Sequence, residues 1–203
     1  MRGRLLTMSL GIGILLAGVA FGQQKPAEKA KPAAPPDQQA AMEAMKRAGT
    51  PGEAHQKLEP MVGTFDVTMK MWMDPSKPAD ETTGTSENSW VLGNRFVETK
   101  YQGTFMGQPF SGIGYTGYDN TTKKYVGTWM DTASTGVMVS KGTMAGNVMK
   151  SSASMVDPMT GKMTTLTMKT TVKDNDHHTM QMSGPGPDGK VYKMMEIEYS
   201  RKK

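Results

Sequence analysis

Residues 112–131 read GIGYTGYDNTTKKYVGTWMD, which is a strand of alternating polarity, a turn and a second alternating strand. Side chains with a period of two point alternately to the two faces of a sheet, so each half predicts a half-buried strand. The same arrangement recurs about ten times between residues 63 and 200. Evenly spaced strands joined by short turns predict an all-β fold, an up-and-down antiparallel β-barrel of about ten strands.

The predicted strands follow one another with only turns or short loops between them. They span approximately residues 63–73, 82–92, 95–105, 108–118, 124–132, 136–145, 148–156, 163–172, 177–183 and 190–200. Because the connections are short, strands that are neighbours in sequence should be neighbours in the sheet. Closure would also remove the unpaired edges that an open sheet exposes.

The start of the chain has the pattern of a secretory signal peptide. Arg2 and Arg4 precede an apolar run over about residues 10–19, and Ala20 and Gly22 are small residues suited to cleavage. The run is shorter than the ~20 apolar residues that a membrane-spanning helix needs. We therefore expect cleavage near Gly22, export to the periplasm or the extracellular space, and no membrane span in the mature chain.

Composition divides the chain into three regions. They are a signal peptide at 1–22, a Pro/Ala/Lys-rich linker and short helix at 23–49, and the barrel domain at 50–203. Asp37 as N-cap and Gly49 as the stop predict the bounds of the short helix. A second short helix is predicted over 50–61, limited by Pro60, and should cover one end of the barrel.

The positive charge of the chain belongs to its ends. The chain has 24 Lys+Arg and 19 Asp+Glu, a net charge of +5. Residues 51–200 contain 14 basic and 16 acidic side chains, a net charge of −2. Nucleic-acid binding needs a clustered cationic face, so no nucleic-acid partner is expected. The chain has no cysteine, which fits a bacterial envelope protein better than a small disulfide-rich one.

Four segments resemble a bacterial family known as a domain of unknown function with a lipocalin-like, calycin-type barrel. They are HQKLEPMVGTFDV at 55–67, WVLGNRFVETKYQG at 90–103, GYDNTTKKYVGTWMD at 117–131 and GPDGKVYKMMEIEYSRK at 186–202. Two departures are minor: Gly93-Asn94-Arg95 stands for the family's Gly-Gly-Arg, and Phe65 stands where Trp is frequent. The resemblance implies a lipocalin-like barrel and export, and it assigns no substrate.

Methionine is unusually frequent in the predicted mature chain. After residue 22 there are 19 Met and three Leu. The simplest interpretation is that flexible Met side chains, such as Met69, replace Leu in the core. A Cu(I) site is the alternative, because Met180 and Met182 lie near His177 and His178, and scavenging of oxidants is a third. We predict no metal and no cofactor.

The sequence contains no established catalytic or nucleotide-binding motif. GIGYTG at 112–117 matches the G-x-G-x-x-G pattern, but a strand and a turn follow it instead of the helix that binds a pyrophosphate. We expect these glycines to permit tight curvature of the barrel or to leave room for a ligand. The chain has no nucleophile elbow, P-loop or HExxH motif.

Five residues are predicted to line a pocket if the barrel is hollow. They are Arg95, Tyr115, Trp129, Asp131 and Glu196. Trp129 and Asp131 share a strand face, and a hairpin joins their strand to that of Tyr115, so an aromatic pair and a carboxylate could meet at one wall. A buried carboxylate needs a partner, and Arg95 is the candidate.

Three functions are compatible with this pattern. The favoured one is non-enzymatic binding of a small apolar or amphipathic molecule in the barrel. The first alternative is a structural or partner-binding envelope module whose barrel is filled by side chains. The second is an enzyme that uses Asp131 or Glu196 with His55 as acid and base, which requires these groups to converge. No catalytic residue is assigned.

Overall fold

A computed structural model describes residues 37–157, 160–186 and 188–203. These residues form two α-helices, a 3₁₀ helix and ten β-strands. The helices are α1 (Gln38–Gly49), α2 (Glu53–Gln56) and the 3₁₀ helix Glu59–Met61. The strands are β1 (Gly63–Met71), β2 (Asp80–Val91), β3 (Phe96–Phe105), β4 (Gln108–Asp119), β5 (Lys124–Asp131), β6 (Met138–Ala145), β7 (Val148–Val156), β8 (Met163–Val172), β9 (His177–Pro185) and β10 (Val191–Arg201).

The N-terminal regions are only partly covered by the structure. The predicted signal peptide, residues 1–22, and most of the linker, residues 23–36, lie outside the described residues. Within the described part of the chain, the helices are too short or too polar to cross a membrane.

The ten strands form a closed antiparallel barrel in which strands adjacent in sequence pair with each other. The barrel closes between β1 and β10, where Phe65 lies opposite Arg201 and Met71 lies opposite Met195. The prediction of an all-β, up-and-down barrel of about ten strands is therefore confirmed. Pairing of each strand on both sides gives the sheet hydrogen bonds all the way round the barrel.

One end of the barrel is closed by α2 and the 3₁₀ helix, which we call the plug segment (residues 53–61). Leu58 in this segment is fully buried and packs with Val97 of β3 and Tyr125 of β5. The Tyr125 hydroxyl donates to the carbonyl oxygen of Ala54 at 2.9 Å. Burying a leucine side chain contributes roughly 1.5–3 kcal/mol, so this packing holds the plug segment on the barrel.

Arg201 fastens the plug segment from the other side. Its guanidinium donates to the carbonyl oxygens of Val62 at 2.7 Å, Pro60 at 3.1 Å and Asn175 at 2.6 Å. Gly63 has a φ of +134°, and a Cβ atom at this position would collide with the Arg201 guanidinium. Glycine therefore serves both the backbone conformation and the close approach of the arginine.

The helix α1 has the ends that the sequence predicts. The Asp37 carboxylate accepts a hydrogen bond from the Ala40 backbone N–H at 2.7 Å, as an N-cap does. At the other end, the side-chain amide of Asn120 donates to the carbonyl oxygens of Ala48 and Thr50, at 3.1 and 2.7 Å. The turn between β4 and β5 thus anchors the end of α1.

Candidate ligand-binding cavity

The barrel encloses a cavity of about 330 Å³ whose wall is mostly apolar. Nine methionines line it: Met61, Met69, Met71, Met138, Met149, Met168, Met180, Met182 and Met195. Among the described residues of the wall, none is Lys or Arg. Ligand pockets typically have volumes of ~300–1,000 Å³, so this cavity is at the small end of that range.

The cavity runs from the plug segment to the opposite end of the barrel, which we call the mouth. Leu58 and Met61 of the plug segment line it together with Tyr125. The strand β5 leads from Tyr125 to Asp131, roughly 20 Å at ~3.3 Å per residue. Ala133, just beyond β5, lines the cavity and is exposed, so the cavity reaches solvent at the mouth.

Trp129 and Asp131 form a hydrogen-bonded pair in the wall near the mouth. The indole Nε1–H donates to Oδ2 of Asp131 at 2.8 Å, and the Ala133 backbone N–H donates to Oδ1 at 3.0 Å. The indole lies over Gly112 and Gly114, and a Cβ atom at Gly114 would come within 2.9 Å of the ring. The GIGYTG glycines thus make room for Trp129. A carboxylate accepts about four hydrogen bonds, so Asp131 retains acceptor sites.

A buried stack of rings lies across the barrel, on β1, β9 and β10. The His178 ring stacks on Tyr199 at 4.2 Å between centroids and meets Phe65 edge-on at 4.8 Å. His178 is 3% exposed, and its Nδ1 has no hydrogen-bond partner among the described residues. Burial and the charge of Arg201 lower the pKa of His178 to about 4. The imidazole is therefore neutral at neutral pH.

Two tyrosines add polar atoms to this part of the wall. Tyr101 is 7% exposed, and its hydroxyl has no partner among the described residues. Burial raises the pKa of Tyr101. Burial, with the nearby Tyr101, also raises the pKa of Tyr199. Both phenols stay protonated, and an unpaired buried polar group costs roughly 1–3 kcal/mol, so the Tyr101 hydroxyl is suited to a bound partner.

Of the predicted site residues, Trp129 and Asp131 come together in the cavity wall, whereas Tyr115 lies on the outer face. In the register of β4 and β5, Trp129 is opposite Gly114, so the next residue, Tyr115, points to the other side of the sheet. The Tyr115 hydroxyl donates to the carboxylate of Glu98 at 2.8 Å. The hairpin brings the two strands together, as expected, but its register separates the two aromatic rings.

Glu196 also points away from the cavity, because β10 contains a β-bulge. Its pairing with β9 shifts by one residue between Lys193 and Met195, which makes Met194 the extra residue. The two faces of the strand are exchanged after the bulge. Met195 therefore lines the cavity, while Glu196 accepts hydrogen bonds outside from Lys193 at 2.9 Å and Gln181 at 2.8 Å.

Arg95 lies in the turn between β2 and β3, at the plug end. Its guanidinium donates to the carbonyl oxygens of Leu92 at 2.9 Å and Gly93 at 3.3 Å within its own turn. It is therefore not the partner of Asp131, which lies at the mouth. Arg201, in contrast, donates to the partly buried carbonyl oxygens of Val62 and Pro60.

The acid–base set of the enzymatic alternative does not converge. His55 is buried in α2, where its Nδ1 accepts a hydrogen bond from the Gly52 backbone N–H at 3.1 Å. Burial lowers the pKa of His55. Asp131 lies at the far end of the barrel, and Glu196 lies outside it. Catalysis by a shared proton relay requires hydrogen-bond reach, which these three groups lack.

The strand β9 carries the clearest missed signal. His178, Met180 and Met182 alternate along it and all line the cavity, whereas His177 faces outward. The His177 ring contacts the Asp174 carboxylate at 2.9 Å. The spacing of two residues between His178, Met180 and Met182 was the sequence signal that His178 faces the cavity. Among the described residues, no three His, Asp or Glu side chains cluster as a metal site.

Comparisons with known proteins identify a family and a solved structure of similar fold. A family model described as a protein of unknown function (DUF1579) matches residues 50–201. The crystal structure of Rv2717c from M. tuberculosis has 16% identity and a TM-score of 0.54, covering 76% of this chain and 100% of that chain, which shows a common fold alone. A redesigned β-barrel, b11L5F_LGL, has 16% identity and a TM-score of 0.40, covering 74% and 96% of the two chains. No curated protein matches the chain significantly.

Proposed function

The chain belongs to the DUF1579 family of proteins of unknown function, and we propose that it binds a small amphipathic molecule inside its barrel. The observation that carries this proposal is the methionine-lined cavity with the Trp129–Asp131 pair at its mouth. The apolar part of a ligand would lie against the methionine wall, where removing apolar surface from water contributes roughly 25 cal/mol per Å².

The polar groups of the wall favour one class of ligand. Asp131 only accepts hydrogen bonds, and two of its acceptor sites are used by Trp129 and Ala133. With no Lys or Arg among the described wall residues, an anionic head group would meet no positive partner. We therefore favour a ligand with an apolar body and a neutral or cationic donor group, such as a hydroxyl or an amine, at the mouth.

A matched set of probes tests this preference. Octylamine, octanol and octanoate share one apolar chain and differ in the head group. Binding is followed by Trp129 fluorescence in a variant whose other tryptophans, Trp72 and Trp90, are replaced by phenylalanine. We expect octylamine and octanol to bind and octanoate to bind at least about 10-fold more weakly. Binding of octanoate as tight as that of octylamine, or of none of the three, would contradict the proposal.

The substitution Asp131→Asn tests the role of the carboxylate. A hydrogen bond to a charged group contributes about 1.5–3 kcal/mol, so octylamine should bind roughly 10- to 100-fold more weakly, with a smaller change for octanol. Glu196→Gln is the matched control, because this carboxylate faces outward. Equal effects of the two substitutions would show that Asp131 does not contact the ligand.

We further propose that residues 1–22 direct export and are then removed. The basic start and the short apolar run support this proposal. The measurement is the intact mass of the protein from its native host, together with cell fractionation. We expect a mature chain that begins near Gln23 in the envelope or the medium. An uncleaved chain in the cytoplasm would contradict it.

A further inference from the structure

Four methionines form a row across four adjacent strands of the barrel wall. Met71 of β1 lies opposite Met195 of β10, Met195 opposite Met182 of β9, and Met182 opposite Met168 of β8. All four line the cavity and are half-buried. Residues directly opposite on one face have Cβ atoms ~4.5–5.5 Å apart, so neighbouring thioethers can reach a common point. We call this set the thioether row.

The β-bulge of β10 brings Met195 into the thioether row. With a regular strand continuing from Lys193, position 195 would lie opposite Gln181, whose side chain contacts Glu196 on the outer face. Bulges of this kind re-aim side chains and are over-represented next to functional sites. Without the extra residue, Met194 would lie opposite Met182, so the bulge determines which of two adjacent methionines, Met194 or Met195, lies in the row.

We propose that the thioether row binds one soft monovalent cation, Cu(I) or Ag(I), through its sulfur atoms. Thioether sulfur is a soft, uncharged donor, which suits Cu(I) and does not suit Mg(II) or Ca(II). The residues opposite the two ends of the row are Ser151, across from Met168, and Asp80, which is across from Met71 and is exposed. The row therefore supplies sulfur ligands near the mouth, where a cation from solvent can reach them.

The adjacent row of residues in the same wall has a mixed composition and serves as a comparison for the thioether row. One level closer to the plug segment, the directly paired residues are Met69, Ile197, Met180 and Thr170. That row mixes thioethers with aliphatic and hydroxyl side chains. The thioether row has methionine at all four positions, although leucine would fill the same space without a donor atom.

A titration with Ag(I) tests the proposal, because this cation is soft and stable in air. Calorimetry in chloride-free buffer on the purified protein should show about one equivalent bound with a Kd below ~1 µM. The variant M71L/M168L/M182L/M195L should bind at least about 100-fold more weakly. The matched control M69L/M180L should keep its affinity within about threefold, because it removes two cavity thioethers outside the row.

Two checks distinguish loss of the metal site from loss of the fold and from failure of the proposed ligand binding. Met-to-Leu changes conserve volume and typically cost less than ~1.5 kcal/mol each, and circular dichroism verifies the fold. Should the fourfold variant not fold, Met182→Leu alone is decisive, with an expected loss of at least about 10-fold. Octanol binding is measured on the unchanged protein: octanol binding without Ag(I) binding would contradict the metal site alone, and Ag(I) binding without octanol binding would contradict the proposed function alone.

NMR spectroscopy can detect Ag(I) binding in the unchanged protein. In protein labelled at the methionine methyl groups, Ag(I) should shift the NMR signals of the four row residues. The signals of the exposed Met42 and Met106 should stay in place. Equal loss of affinity in the row variant and the control variant, or shifts confined to exposed methionines, would overturn the proposal.

Discussion

Trp129 occupies space that exists only because residues 112 and 114 are glycines. A methyl group at position 114 would come within 2.8 Å of the Thr128 carbonyl oxygen and 2.9 Å of the indole, so Gly114→Ala should displace the ring and break its hydrogen bond to Asp131. Overpacking of this kind costs about 1–3 kcal/mol. The measurement is urea unfolding together with the emission maximum of Trp129.

The control for this prediction is Gly49→Ala at the end of α1. A Cβ atom at Gly49 would meet no atom within 4 Å, so the free energy of unfolding should change by no more than about 0.5 kcal/mol. Similar losses in the two variants would show that Trp129 does not depend on the glycine at position 114.

His178 makes the stability of the barrel depend on pH. Its pKa in the folded protein is about 4, below the ordinary value of 6.5, so the unfolded chain takes up the proton first as pH falls. The stabilisation is complete above about pH 6.5 and is lost between about pH 6.5 and 4, with a total of roughly 3 kcal/mol. We expect His178→Phe to flatten the stability profile in this window.

His177 is the control for the pH prediction, because it is the adjacent residue and faces solvent. His177→Gln should keep the slope of the free energy of unfolding between pH 6.5 and 4. Buried His55 also has a lowered pKa and contributes in the same direction in all variants. A profile that is as steep in His178→Phe as in the parent protein would contradict a buried neutral imidazole.

At the scale of elements, the strand period predicted the ten strands but not all of their faces. Trp129 and Asp131 lie two residues apart on one regular strand, so alternation alone placed them together. To predict the face on which Tyr115 lies, one needs the register between β4 and β5, which the alternation within each strand does not determine. Glu196 required knowledge of the bulge at Met194, and the sequence MMEIEY alternates equally well with or without an extra residue.

Arg201 contributes to the attachment of the plug segment, beside the packing of Leu58 and the hydrogen bond from Tyr125. Arg201→Met removes hydrogen bonds from a charged donor to three backbone carbonyls, of Pro60, Val62 and Asn175. Hydrogen bonds to charged groups contribute about 1.5–3 kcal/mol, so a loss of at least ~2 kcal/mol in the free energy of unfolding is expected.

The neighbouring residue supplies the control for Arg201. Lys202 forms an exposed ion pair with Asp66 at 3.2 Å. Exposed ion pairs contribute about 0–1 kcal/mol, so Lys202→Met should have a small effect. If the two substitutions had equal effects, net charge and not the attachment of the plug segment would explain the loss.

At the scale of the whole molecule, the period of the strands predicted closure but not the hollow interior. Whether a ten-stranded barrel is filled depends on the volumes of inward side chains and on the small residues among them. Trp129 lies against the wall over glycines instead of crossing the barrel, and His178 stacks flat on Tyr199. These arrangements depend on pairs of residues distant in sequence, so no local pattern predicts the cavity.

A closed meander should unfold as a single unit, because opening any strand pair exposes two edges and the plug segment packs on several strands. Two single-tryptophan variants test this at opposite ends of the barrel. One keeps Trp129 near the mouth, and the other keeps Trp90, whose Nε1–H donates to Glu59 of the plug segment at 2.7 Å. We expect both fluorescence signals and the circular dichroism signal to change at the same urea concentration. An earlier transition of Trp90 would mean that the plug segment separates first, and ligand entry from that end would then have to be considered beside entry through the mouth.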